Sequence, residues 1–266
     1  MIYFLSDAHL GSLAIERGWA HQKKLIEMLE EMSKDAVSIY MLGDMFDFWM
    51  EYYIRDAKKR EFHPFCKEIR KLIKKGIHVH YFVGNHDLWT FGGLHKLTGM
   101  EIHYEPCTII RYGKAIYLAH GDGILPSNWE DKYPEEVQKK IKRFMKLRKV
   151  FHSPTLQALY RSLPPALGNK FGYEWAKRSR LKEMANPCPY KGEDNAELVL
   201  FAKEQEKQQS HRDYYIFGHR HIELDLQIAS GSRVIILGDC FKLWTYAKLD
   251  HHGNLTMHNY EDPVES

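Results

Sequence analysis

The hydrophobic positions follow two rhythms, and the chain switches between them. Short apolar runs at Ile2–Leu5, Ser38–Leu42 and Val79–Val83 read as buried strands. Between them, Lys24–Met32 places Leu25, Met28, Leu29 and Met32 on one helical face, and Phe62–Lys75 forms a second helix that Gly76 stops. Thr108–Arg111 and Ala115–Ala119 then make a hairpin around Tyr112-Gly113-Lys114. From Asp122 to Gln209 strand patterns vanish, and helical ones punctuated by Pro126, Pro134, Pro154, Pro164-Pro165, Pro187 and Pro189 replace them. Strands resume at Tyr214–Phe217, Val234–Leu237, Leu243–Leu249 and Leu255–Asn259, the last two joined by His252-Gly253-Asn254. The pattern predicts an α/β core, residues 1–121 and 210–266, interrupted by a helical cap, residues 122–209. The end of the chain, Asp262–Ser266, is expected to fray.

Composition narrows the class. With 44% hydrophobic and 27% charged residues the chain is globular, and no run approaches the ~18 apolar residues of a membrane-spanning helix. Met1–Leu5 is too short for a signal peptide and runs straight into Ser6-Asp7-Ala8-His9. Cys66, Cys107, Cys188 and Cys240 form no C-x-x-C pair, so they read as reduced thiols of a cytosolic protein.

The 16 histidines are more telling, because several fall beside Asp, Asn and Gly at strand ends. Five clusters follow strands in order: Asp7-x-His9, Gly43-Asp44-x-x-Asp47, Gly84-Asn85-His86-Asp87, His120-Gly121-Asp122 and Gly218-His219-x-His221. Alone, each is weak: an Asp-x-His is a common turn or cap, and a Gly-His-x-His can be two surface histidines. Together they are not, because α/β sheets gather their sites at the carboxyl ends of strands. Carboxylate, imidazole and amide oxygen suit Mn, Fe or Zn as divalent ions, and the ligand count fits two metals better than one structural zinc. Gly43, Gly84 and Gly218 are expected to supply positive φ at the turns before the ligands.

In that order the motifs DxH, GDxxD, GNHD, HG and GHxH resemble those of the calcineurin-like metallophosphoesterase family. The resemblance covers the chain outside the cap and implies a β-sandwich flanked by helices, an α/β/β/α arrangement. It implies that Asp7, His9 and His221 hold one metal, that Asn85, His120 and His219 hold the other, and that Asp44 bridges them. His86 is the implied catalytic histidine beside the scissile phosphate, with Asp87 accepting a hydrogen bond from its other nitrogen. Asp47, three residues past Asp44, is expected behind a ligand rather than as one.

The cap carries the clue to substrate. Residues 122–183 hold 14 Lys and Arg against 7 Asp and Glu, a net of +7 in a chain whose total is +3. The densest run, Lys139–Lys149, is an amphipathic helix with Val137, Ile141, Phe144, Met145 and Phe151 near one face, a pattern suited to an anionic membrane surface. A following helix, capped by Ser153 with Pro154 at its first position, carries Leu156, Leu159, Tyr160 and Leu163 on one stripe. Packing of these helices on each other, with solvated lysines, is the plainer account of any one of them. Within the family, the chain is most similar to the pyrophosphatases that hydrolyse UDP-2,3-diacylglucosamine in lipid A synthesis, which share the cap and the pattern Gly43-Asp44-Met45-Phe46-Asp47-Phe48-Trp49. Many of them have Arg where this chain has His86.

That likeness implies a lipid-linked nucleotide-sugar substrate touched by Asn85, Asp122 and Ser179, two divalent ions (Mn2+, with Fe2+ or Zn2+ as alternatives), and peripheral attachment to the inner face of the cytoplasmic membrane. The rival readings are a phosphoesterase for soluble nucleotides or diesters, a scaffold that has lost catalysis, and a nuclease. The intact ligand set argues against the second, and the modest total charge against a nucleic-acid partner.

Overall fold

In the computed structural model, which describes residues 1–15, 18–56, 58–185, 190, 192–208 and 211–261, the two rhythms become two sheets with helices outside them. Cys188, Pro187, Pro189 and the Asp262–Ser266 end lie outside the described residues. In chain order the first part is β1 (Ile2–Leu5), α1 (Gly18–Met32), β2 (Ser38–Leu42), α2 (His63–Lys74), β3 (His78–Phe82), α3 (Gly93–Thr98), β4 (Glu101–His103), β5 (Cys107–Arg111) and β6 (Lys114–Ala119). Then come α4 (Trp129–Lys132), α5 (Glu135–Phe151), α6 (Pro154–Arg161), α7 (Pro165–Ala185) and α8 (Glu197–Gln208). The remaining strands are β7 (Tyr214–Phe217), β8 (Glu223–Gln227), β9 (Arg233–Leu237), β10 (Thr245–Leu249) and β11 (Leu255–Asn259). One sheet runs β11-β10-β1-β2-β3-β4 and the other β5-β6-β7-β9-β8.

The period of two along each strand sorts side chains into three layers. Ile2, Phe4, Tyr40, Leu42 and Phe82 point from the first sheet into the gap between sheets, where they meet Ile116, Leu118, Ile216, Ile235 and Leu237. Their neighbours Tyr3, Leu5, Ile39, Met41 and Tyr81 face the other way and pack under Leu25, Met28 and Leu29 of α1 and Phe65, Ile69 and Leu72 of α2. On the far side, Tyr215, Phe217, Val234 and Ile236 receive Leu198, Val199 and Ala202 of α8. The α/β/β/α sandwich implied by the motifs is the fold observed.

Tyr112 and Gly113 both take positive φ (48° and 74°), the turn a two-residue hairpin requires. Helix α1 starts at Gly18, six residues before the amphipathic stretch begins, and α3, β4 and β8 have no counterpart among the predicted elements. Ser153 does stand at the N-cap of α6, but its hydroxyl makes no capping hydrogen bond.

All five helices α4–α8 fall between β6 and β7. They differ in depth: α8 is part of the second sheet's core, whereas no residue of α5 or α6 is buried. Helix α7 is held by an aromatic seam of Phe48, Met50, Tyr52 and Tyr173, reinforced by a 3.0 Å hydrogen bond from the Tyr52 hydroxyl to Asn169 Oδ1. Gly168 and Gly172 make that contact possible, because a Cβ on either would run into the Tyr52 or Phe48 ring. In an open helix Gly→Ala gains ~1 kcal/mol. At Gly172 the collision, an overpacking of about 1–3 kcal/mol, is expected to win, so Gly172→Ala should lower the denaturant midpoint. A raised midpoint in chemical denaturation would mean that α7 stands off the seam.

Candidate metal centre

Each candidate ligand lies just past the carboxyl end of a strand: Asp7 and His9 after β1, Asp44 and Asp47 after β2, Asn85, His86 and Asp87 after β3, His120 and Asp122 after β6, His219 and His221 after β7. Strands β1, β2 and β3 are parallel in one sheet and β6 and β7 in the other, which brings these ends to one edge of the sandwich. Past the strands the chain stays zipped: the Asp7 N–H donates to the Gly43 carbonyl (3.0 Å), His9 to Asp44 (2.9 Å) and Leu10 to Met45 (2.9 Å).

The backbone is strained where these residues sit. Among the described residues seven non-glycine positions have positive φ, and five of them are Asp7, His9, Asp44, His219 and His221. Such conformations cost of order 1–3 kcal/mol each and persist only where surrounding bonds enforce them. The glycines act differently from the expectation. Gly43 does have φ +86°, but Gly84 and Gly218 do not take positive φ. They are needed for close approach: a Cβ on Gly218 would lie 2.5 Å from Asp7 Oδ2, and one on Gly84 would overlap Asp44 Oδ1.

Three overlapping constellations result among the described residues, Asp7-His9-His221, Asp44-His120-His219 and His9-Asp44-His86, each with ligand atoms within 4.8 Å of one another, and the first two follow the implied ligand sets. Asp44 Oδ2 stands between them, 3.9 Å from His9 Nε2 and 3.3 Å from His120 Nε2. Asn85 Oδ1 joins the second set, 3.3 Å from His120 Nε2. Groups behind the rings fix which nitrogen faces inward. The Leu42 carbonyl accepts from His120 Nδ1 at 2.7 Å, the Asp47 carboxylate lies 3.2 Å from His9 Nδ1, and Asp239 Oδ2 lies 3.9 Å from His221 Nδ1. This is the backing that metal-bound histidines receive; it turns Nε2 toward the centre, where Arg180 lies against His9 and 3.1 Å from His221 Nε2.

The electrostatics fit cations at this edge. Asp7 is fully buried, Oδ2 accepts from the His219 N–H (2.8 Å), and Oδ1 accepts no hydrogen bond. Burial pushes its carboxyl up to about 8, against the pull of His120. Asp44 goes the other way, because His120, His86 and His9 outweigh burial and hold it well below the usual range. Burial keeps His9, His219 and His221 neutral, His219 falling to about 3. His120 is raised well above its ordinary value, since Asp44 and Asp7 outweigh burial.

Other assignments change. Asp87 does not orient His86; its carboxylate accepts from the Gly84 N–H (2.8 Å), the Phe46 N–H (3.2 Å) and the Tyr81 hydroxyl, so it braces the loop. The His86 ring is held by the Asp47 carbonyl, 2.8 Å from Nδ1, while the backbone N–H of His86 donates to Asp44 Oδ1 at 2.8 Å. Asp122 is at the edge but paired with Arg148 of α5 at 2.7 Å. Ser179 is exposed on α7 and is not brought to the site. Its neighbour Arg180 is: only 2% exposed, its guanidinium lies against His9 and 3.1 Å from His221 Nε2. Arg180 was hidden in a basic run, although Gly172, Ala176 and Arg180 share the buried stripe of α7. Asp239 did carry a signal, since Leu237-Gly238-Asp239 repeats the strand–Gly–Asp pattern of Asp44.

These shifts set a pH signature. At pH 7 both the Asp7 carboxyl, raised to about 8, and the raised His120 carry protons, which a metal must expel. Zn2+ or Mn2+ loading should therefore release protons at pH 7 and fewer at pH 9, where Asp7 is already ionised. Calorimetric titration in buffers of different ionisation enthalpy reads this number directly. A release that does not change with pH would contradict the assignment.

The family model of calcineurin-like phosphoesterase matches residues 1–223. The UDP-2,3-diacylglucosamine hydrolase of Porphyromonas gingivalis is 34% identical, over 94% of this chain and 94% of its own length. Proteins of the same name from Psychromonas ingrahamii and Neisseria gonorrhoeae are 25% and 24% identical, covering 82% and 89% of this chain and 79% and 88% of theirs. With its site and sandwich, the chain belongs to the calcineurin-like phosphoesterase family and is a hydrolase.

Proposed function

We propose that the chain hydrolyses the diphosphate of UDP-2,3-diacylglucosamine to UMP and 2,3-diacylglucosamine 1-phosphate. The observation that carries this reading is a pair of cavities that open beside the ligand edge, the first walled by apolar residues together with Lys140, Glu197 and Arg220, the second mostly by aromatic rings. One, of about 280 Å3, runs from His219 and Gly121 to Ile141, Phe144 and Met145 of α5. The other, of about 220 Å3, runs from Asn85 and His86 to Trp89, Phe151, Phe171 and Trp175. A phosphoester site flanked by apolar walls suits a phosphate carrying acyl chains better than a free nucleotide.

Two divalent ions, with Mn2+ the proposed metal, would be held by Asp7, His9 and His221 and by Asn85, His120 and His219, with Asp44 between them. When bound they supply charge stabilisation to both the attacking and the leaving oxygen of an in-line displacement. The chain supplies the rest. With Nδ1–H donating to the Asp47 carbonyl, Nε2 of His86 is the free ring nitrogen, and in the imidazolium form its N–H donates to a phosphoryl oxygen or the leaving group. Asn85 meets the phosphate, and Asp122, steadied by Arg148, the sugar. Arg180, rather than the exposed Ser179, brings the cap's positive charge to the site. Among the described residues no helix is long and apolar enough to cross a membrane. Exposed Leu147 and Val150 of basic α5 and Leu156 and Leu159 of α6 suit peripheral contact with an anionic bilayer.

His86→Ala is expected to keep its metal content and to lose ~10²–10⁴ in turnover; loss of a metal would move His86 into the ligand set. The substrate reading is tested with the Mn-loaded enzyme on UDP-2,3-diacylglucosamine and on a soluble aryl diester. Ile141→Asp and Phe144→Ser should cut lipid hydrolysis more than tenfold, since each sheltered methylene contributes ~0.8 kcal/mol, and leave the diester unchanged. Equal rates on both substrates in all variants would refute the acyl-chain reading and favour a soluble diester.

A further inference from the structure

Away from the catalytic edge, a second cluster of ligating side chains lies on the short edge strand of the first sheet. His80 of β3 pairs with Glu101 of β4, and Phe82 pairs with His103. Since Phe82 points into the gap between the sheets, His80, Glu101 and His103 share that face at its open margin. His80 Nδ1 lies 3.1 Å from His103 Nε2 and 3.3 Å from Glu101 Oε2, and His103 Nε2 lies 3.6 Å from Glu101 Oε1. A tetrahedral zinc with bonds of ~2.0–2.1 Å spaces its ligand atoms roughly 3.3–3.4 Å apart. The observed distances bracket that edge.

The rings are also held. His80 stacks on Tyr40 at 4.3 Å and 6°, and His103 on Phe82 at 4.6 Å and 15°. Glu101 is the flexible member, its side chain 65% exposed and able to adjust. Burial lowers both imidazoles, His80 to about 4, although Glu101 pulls the other way; Arg111 and His78 also face His80 and favour its neutral form. Two neutral imidazoles and one carboxylate form a divalent transition-metal donor set with a fourth position for water.

We propose that His80, Glu101 and His103 form a structural metal site for zinc or a similar divalent ion, separate from the catalytic pair. His80 precedes Asn85 by five residues, about 16 Å along an extended chain, so the two centres do not share ligands. The ion would staple the three-residue β4 to β3, the strand that presents Asn85 and His86.

The test uses Zn2+ alone on full-length protein whose catalytic edge is silenced by His9→Ala, Asp44→Ala and His120→Ala, which breaks both ligand sets. That protein should retain one equivalent of zinc after dialysis and melt at a higher temperature with zinc. With Co2+ it should show the visible absorption of a tetrahedral complex. Adding His103→Gln should remove all three signals, and Glu101→Gln should weaken zinc binding at least tenfold. Absence of bound zinc in the silenced protein, or equal zinc with and without His103, would reduce the triad to a hydrogen-bonded clasp and overturn the proposal. Circular dichroism checks folding; if the silenced protein does not fold, zinc stoichiometry decides, with three equivalents expected for the wild type and two for His103→Gln.

Discussion

Asp7, Asp44 and Asp47 are buried together at one edge of the sandwich, and carboxylates so placed repel one another and lose their hydration. Much of the molecule answers that requirement. Five strand ends converge to bring histidines against the acids, and five left-handed residues aim them. Three close-packed glycines let the loops touch. Even the cap contributes, by sending Arg180 inward. The fold around this edge is arranged to neutralise negative charge, and divalent cations complete that neutralisation, which is why a hydrolase of phosphate esters sits here.

How much of this was legible depended on whether the cause was local. Strands β1, β2, β7 and β11 stand where their apolar runs lie, because hydrophobic burial on the sheet leaves its mark residue by residue. The DxH to GHxH ligand order was legible for the same reason, since each motif closes its own strand. Helix α3 was not. Its N-terminal N–H groups are satisfied by the Glu51 carboxylate, which accepts from Phe91, Gly93 and Leu94 at 2.6–2.7 Å from some forty residues away, so no local cap announces it. Strand β4 has three residues, too few for any period, and β8 alternates Leu with acids at an edge where the outward half is solvated. The roles of Asp87 and Gly84 were misread because both depend on which loop lies opposite, a fact of tertiary packing alone.

The glycine seam under α7 has a further consequence. Gly172 and Arg180 lie on one rigid rod, about 12 Å apart along its axis. Lifting the helix off Phe48 and Tyr52 must therefore withdraw a positive charge from His9 and His221, and the two events have a single coordinate. Thermodynamic reciprocity then applies: whatever factor by which bound cations weaken Arg180's hold on the site, the docking of Arg180 weakens the cations by that same factor. The site would thus be a balance between two kinds of positive charge, one carried by ions and one by a side chain on α7.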